Sequence, residues 1–137
     1  VQDVIALDVG ERRIGVAVSV GDMALPYDTI ERTNVRADTE RIAEIARERG
    51  ARTIVVGDPL TLRGERGIAA KNIDAFVAHL ARAYDGAIEM VDERLTTAAV
   101  QKSLIAADVS RKKRRTVVDK LAAALILETY LQRRRNG

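Results

Sequence analysis

Apolar residues in the first twenty positions fall into two short runs, residues 4–8 and 14–20, separated by a charged interval that contains Gly10. Runs of this length rich in Val and Ile predict strands, and the Gly-bearing interval predicts a hairpin that opens a sheet. A third strand is expected over residues 25–31. The period then changes. Ile42, Ile45 and Ala46 recur at helical spacing over residues 37–49, and Gly50 supplies the stop signal. Residues 53–56 form a continuous apolar run of strand type, and residues 58–67, with Pro59, Gly64 and Gly67, read as a loop. Ala69, Ile73, Phe76, Val77 and Leu80 restore the helical period before a strand near residues 87–91. Two closing helices are expected over residues 96–106 and 116–133. Strands first, then helices and strands in alternation, predict an α/β fold with a mixed sheet flanked by helices.

Composition narrows the class. The chain of 137 residues is 47% hydrophobic, which suits one globular domain spanning 1–137 with its own core. Asp3 and Asp8 interrupt the first apolar stretch, and no window approaches the roughly 18 apolar residues of a membrane span. A soluble, cytoplasmic protein with no membrane association is therefore expected. There is no cysteine, so thiolate metal sites and cysteine nucleophiles are excluded and a metal would need other ligands. His79 is the lone histidine and falls in the middle of an expected helix.

The net charge is only +3, but it is unevenly spread. Arg111, Lys112, Lys113, Arg114 and Arg115 form one basic run and Arg133, Arg134 and Arg135 another. Such runs are commonly solvated surface, and they equally suit a polyanion. Aromatic residues make up 3% of the chain, namely Tyr27, Phe76, Tyr84 and Tyr130. That is a poor supply of stacking platforms for unpaired bases, so a nucleic-acid partner would be held by its backbone and shape.

Three acidic positions carry candidate chemistry, and each has an ordinary alternative. Asp8 ends an apolar strand two residues before Gly10, where it could bind a metal or cap a turn. Asp92 and Glu93 follow the strand near residues 87–91 and precede an expected helix, where helix-entry chemistry could account for both. Because neighbouring strand residues point to opposite faces, only one of the pair readily serves a given site. Asp119 stands three residues after Thr116, the spacing of a capping box. Against that, the apolar run 121–127 makes this a helix buried on several sides, with Asp119 at its entry to the core. Hydrolysis of a phosphodiester needs charge neutralised at the phosphoryl oxygens, and carboxylates converging on a hard divalent ion meet that need.

The motif Asp8-Val9-Gly10-Glu11-Arg12-Arg13-Ile14-Gly15-Val16-Ala17 resembles the opening of the YqgF family, also called RuvX. Val56-Gly57-Asp58-Pro59-Leu60 with Gly64 and Gly67 is similar to the glycine-proline loop of that family, and Asp92-Glu93-Arg94-Leu95-Thr96-Thr97 to its second acidic motif. Val118-Asp119-Lys120-Leu121-Ala122-Ala123, with Ile126-Leu127 and Tyr130-Leu131, resembles its C-terminal helix. The motifs occur in family order across nearly the whole chain, which makes them far more specific than a lone Asp-x-Gly. The resemblance implies an RNase H-like fold with a five-stranded mixed sheet. It also implies catalysis by Asp8, Glu93 and Asp119 acting as ligands of Mg²⁺ or Mn²⁺, with Glu93 preferred to Asp92. Arg12, Arg13, Arg94, Lys112, Lys113, Arg114 and Arg115 are the expected contacts to nucleic acid. The implied activity is a nuclease that either matures the 5′ end of 16S ribosomal RNA precursors or resolves four-way DNA junctions, as a monomer or homodimer.

Two competing functions belong to other classes. Asp8-x-Gly10 also resembles the phosphate motif of actin-like and sugar-kinase enzymes, but those generally need two related lobes and this chain has no second such segment. A nucleic-acid-binding module of the same fold without catalysis is the other alternative, set against the presence of all three acids.

Overall fold

The computed structural model describes residues 3–59, 67–92 and 111–136. Along the chain run β1 (Asp3–Val9), β2 (Arg13–Val20), β3 (Met23–Glu31), α1 (Val35–Arg49), β4 (Ala51–Asp58), α2 (Ile68–Ala83), β5 (Ala87–Asp92) and α3 (Arg111–Asn136). The strands form one five-stranded sheet in the order β3-β2-β1-β4-β5. β1, β2 and β3 pair antiparallel, and β4 pairs parallel with both β1 and β5. The mixed sheet expected from the pattern is the sheet observed.

Alternation along the central strands sorts the apolar residues into two cores. Ile5, Leu7, Ile14, Val16, Val18, Ile54 and Val56 point to one face, where they pack against Ile42, Ile45 and Ala46 of α1 and Ile73, Phe76 and Leu80 of α2. Val4, Ala6, Ala17, Val55 and Val91 point to the other face and meet Ala123, Ile126, Leu127 and Leu131 of α3. Small side chains at Ala6, Ala17 and Ala123 let α3 lie close to the sheet.

Local signals explain the ends of α1. The Asn34 side chain accepts from the Ala37 N–H at 2.9 Å, and Gly50 takes the left-handed conformation at φ 66° and donates to the carbonyls of Ala46 and Arg47. β4 starts directly after this turn, at Ala51, earlier than the apolar run alone indicates. α3 starts at Arg111, five residues before the expected boundary. The basic run forms its first turns because Lys and Arg are good helix formers, a preference that an apolar pattern does not register. The expected helix over 96–106 and most of the loop over 58–67 lie outside the described residues. Within that loop, Asp58 closes β4 and Gly67 is the N-cap of α2. Among the described residues, no helix is long and apolar enough to cross a membrane.

Candidate active site

Asp8 lies inside β1, in the phase of Val4 and Ala6, so its half-buried side chain belongs to the α3 face of the sheet. Its cross-strand partner is Gly15 on β2. The turn itself lies beyond Asp8, where the Gly10 N–H donates to the Arg13 carbonyl at 2.8 Å. That turn is anchored from a distance. The Arg32 backbone N–H donates to the Arg12 carbonyl at 2.9 Å, and Arg32 Nη1 donates to the Gly10 carbonyl at 2.8 Å. Arg32 Nε also reaches Asp38 Oδ2 at 3.4 Å, and its guanidinium lies 5.4 Å from the centre of the Phe76 ring. Asp38, only 3% exposed, accepts from the Thr33 N–H at 3.1 Å as well. Sequence reading missed Arg32 and Asp38, and the one available signal was an acid in the first turn of α1, a position that ordinarily serves the helix dipole.

Asp119 reaches the same face from α3. The carbonyl of Asp119 occupies the space where a Cβ at Gly15 would stand, so strand and helix backbones touch at this point. Gly15 is thus the register partner of Asp8 and the packing partner of Asp119, and the two acids flank it. The Asp119 side chain accepts from Arg13 Nε, with Nε and Oδ2 2.8 Å apart and each side chain about one-fifth to one-quarter exposed, at 24% for Arg13 and 21% for Asp119. The capping-box alternative for Asp119 is overturned. Thr116 and Asp119 both lie inside α3, where there is no N-terminus to cap.

Asp92 is the last residue of β5 and pairs in register with Asp58 of β4. It shares the phase of Ile88 and Met90, which pack against the α1–α2 core, and so lies on the face opposite Asp8. Glu89 and Val91 have the other phase, and Glu89 Oε2 accepts from the Tyr130 hydroxyl of α3 at 2.8 Å. Burial and this carboxylate raise the Tyr130 pKa above its ordinary value. Glu93 and Arg94 lie outside the described residues. Arg12 is exposed in the turn after Asp8, and Lys112, Lys113, Arg114 and Arg115 fall in the opening turns of α3.

Among the described residues, no three His, Cys, Asp or Glu side chains are grouped to hold a metal. Asp8 and Asp119 supply oxygen donors only, the kind suited to Mg²⁺ or Mn²⁺. His79 lines a groove with Arg36, Thr39, Glu40 and Arg82 between α1 and α2, on the side of the sheet away from Asp8.

Comparison with known proteins decides the family. The profile described as "RuvX: Holliday junction resolvase" matches residues 2–133. The chain belongs to the RuvX family. A Desulforudis audaxviator relative named "Putative pre-16S rRNA nuclease" is 44% identical over 133 residues, covering 96% of this chain and 94% of that protein. One of the same name from Halalkalibacterium halodurans is 45% identical over 133 residues, covering 94% and 95%. In fold, this RuvX-family chain is similar to Thermus thermophilus RuvC in complex with a Holliday junction substrate, with a TM-score of 0.62, 13% identity and coverage of 98% and 96%. It is also similar to fowlpox virus resolvase in complex with Holliday junction DNA, with a TM-score of 0.52, 9% identity and coverage of 96% and 97%. The fold is RNase H-like, as the RuvX motifs imply.

Proposed function

We propose that this chain is a divalent-metal-dependent nuclease that hydrolyses phosphodiester bonds in structured nucleic acid, with the 5′ end of 16S ribosomal RNA precursors as its substrate. The observation that carries the reading is the convergence of Asp8 and Asp119 on one face of an RNase H-like sheet, with Gly15 between them. The names of relatives more than 40% identical support the RNA substrate. The family description favours a second substrate, the four-way DNA junction.

In this reading Asp8, Glu93 and Asp119 hold Mg²⁺ or Mn²⁺. Such an ion, when bound, offsets charge on the phosphoryl oxygens and activates a water. Against Asp92 as the second ligand stands its strand phase, which puts it on the α1–α2 side. Arg13 holds the Asp119 carboxylate, and Arg32 holds the turn that follows Asp8. Arg12, Arg94 and the run Lys112, Lys113, Arg114 and Arg115 contact phosphates, a mode of recognition that needs few aromatic residues.

The test is to incubate the purified protein with Mg²⁺ or Mn²⁺ and, in parallel, a 5′-extended 16S precursor RNA and a four-way DNA junction, and then to map the cuts. Cuts at the 5′ end of the precursor are expected. Cleavage of the junction alone transfers the proposal to the second substrate, and cleavage of neither overturns it.

A further inference from the structure

Arg13 is fixed beside the site by its backbone. It is the first residue of β2, pairs in register with Glu31 of β3, and its carbonyl closes the Gly10 turn. Its side chain shares the α3 face with Gly15 and Ala17. Arg13 forms its ion pair with Asp119, at 2.8 Å, while its register partner Glu31 is exposed. A guanidinium does not lose its proton in a protein, and it carries five N–H donors, of which the one at Nε is committed to Asp119. The pair is partly buried, so solvent and salt screen it less than a surface pair.

A permanent positive charge at that carboxylate has a consequence for any cation that uses the same oxygens. Asp119 brings one negative charge to the proposed site, and Arg13 offsets it. A divalent ion arriving alone meets a weakened site and competes with a guanidinium for Asp119. A phosphodiester arriving with it restores negative charge, and its oxygens suit the donors of the guanidinium.

We propose that Arg13 is a resident counter-cation of Asp119 that makes metal binding and nucleic-acid binding conditional on each other. The inference rests on the metal-dependent reading above and adds to it a positioning residue with a thermodynamic role. Each ligand raises the affinity for the other by the same factor, because coupling between sites is reciprocal. The device keeps the carboxylates poorly loaded until nucleic acid is present.

The test reads Mn²⁺ affinity directly, by electron paramagnetic resonance of the free ion. It uses the full chain with and without a saturating 16S-precursor 5′-leader RNA carrying phosphorothioate linkages. In the unmodified protein the RNA is expected to tighten Mn²⁺ binding by about five-fold or more. Arg13→Gln and Arg13→Met remove the charge and are expected to tighten Mn²⁺ binding without RNA by a similar factor, about five-fold or more, and to lose most of the gain from RNA. Arg13→Lys keeps the charge and is expected to restore the weak binding and the gain. Neutral variants that bind Mn²⁺ no more tightly than the unmodified protein overturn the proposal. So does an unmodified protein whose Mn²⁺ affinity ignores RNA, a result that needs no variant to fold. Asp8→Asn is the separate control. If it binds Mn²⁺ normally, the site reading itself has failed, whatever the Arg13 variants do.

Discussion

Gly15 and Asp119 meet backbone to backbone: the carbonyl of Asp119 fills the space that any side chain at position 15 would need. Through this packing the strand opposite Asp8 determines how deeply α3 seats on the sheet, and hence where the Asp119 carboxylate stands. The opening motif and the C-terminal helix motif, more than a hundred residues apart in sequence, therefore form one structure.

Gly15→Ala is expected to destabilise the fold by about 1–3 kcal/mol, the usual cost of overpacking, because the obstructing group is helix backbone and cannot rotate away. Urea unfolding measures the loss. A parallel fall in Mn²⁺ affinity is expected as α3 moves outward and carries Asp119 with it. Unchanged stability would mean that the helix yields at no cost.

Strand phase argues against Asp92 as the second ligand. Asp92 lies on the α1–α2 face beside Asp58, so Asp92→Asn is expected to leave turnover close to normal, while Glu93→Gln abolishes it. Initial cleavage rates of the two variants check this, and the reverse ranking would move the site by one residue.

Much of the framework is legible in the sequence because alternation is a physical constraint. Residues 4–8 and 14–20 suit strands and little else, and Gly50 marks the end of a helix. What cannot be read depends on partners distant in sequence. Nothing in the pattern links Arg32 to the Gly10 carbonyl, twenty-two residues earlier, or to the buried Asp38. Arg13 reads as one more basic residue for a polyanion, and its ion pair with Asp119 spans 106 positions. The start of α3 escapes the pattern because cations that favour helix look like a charged loop when only apolar positions are counted. Asp8 and Asp119 stand out through family motifs, since each alone fits an ordinary cap.

The turn after Asp8 depends on Asp38. Asp38→Ala removes the acceptor for the Thr33 N–H and the partner of Arg32, and is expected to cost about 1–3 kcal/mol. Thermal unfolding reads the loss. Turnover is expected to fall further than stability accounts for at temperatures where the variant stays folded, because the Gly10 turn loses its anchor.

The basic run opens α3, where its charges oppose the positive end of the helix dipole. Replacing Lys112, Lys113, Arg114 and Arg115 with neutral polar residues is expected to leave folding unchanged or slightly improved and to weaken nucleic-acid binding. The slope of log affinity against log salt should flatten by about 0.7–0.9 for each phosphate that the variant no longer neutralises. Binding isotherms at several salt concentrations measure it, and an unchanged slope removes this run from the binding surface.

In the proposed mechanism carboxylates, Asp8 among them, would hold the divalent ion that supports attack of water on the phosphodiester. Asn at position 8 keeps the size of the side chain and removes the charge that a hard cation requires. The decisive measurement is single-turnover cleavage of the 16S precursor RNA by the unmodified protein and by Asp8→Asn, each with Mn²⁺ and with excess chelator. Cleavage is expected only from the unmodified protein with metal, while Asp8→Asn keeps its melting temperature and RNA affinity. Turnover by Asp8→Asn, or cleavage by the unmodified protein in chelator, would refute the metal-carboxylate mechanism.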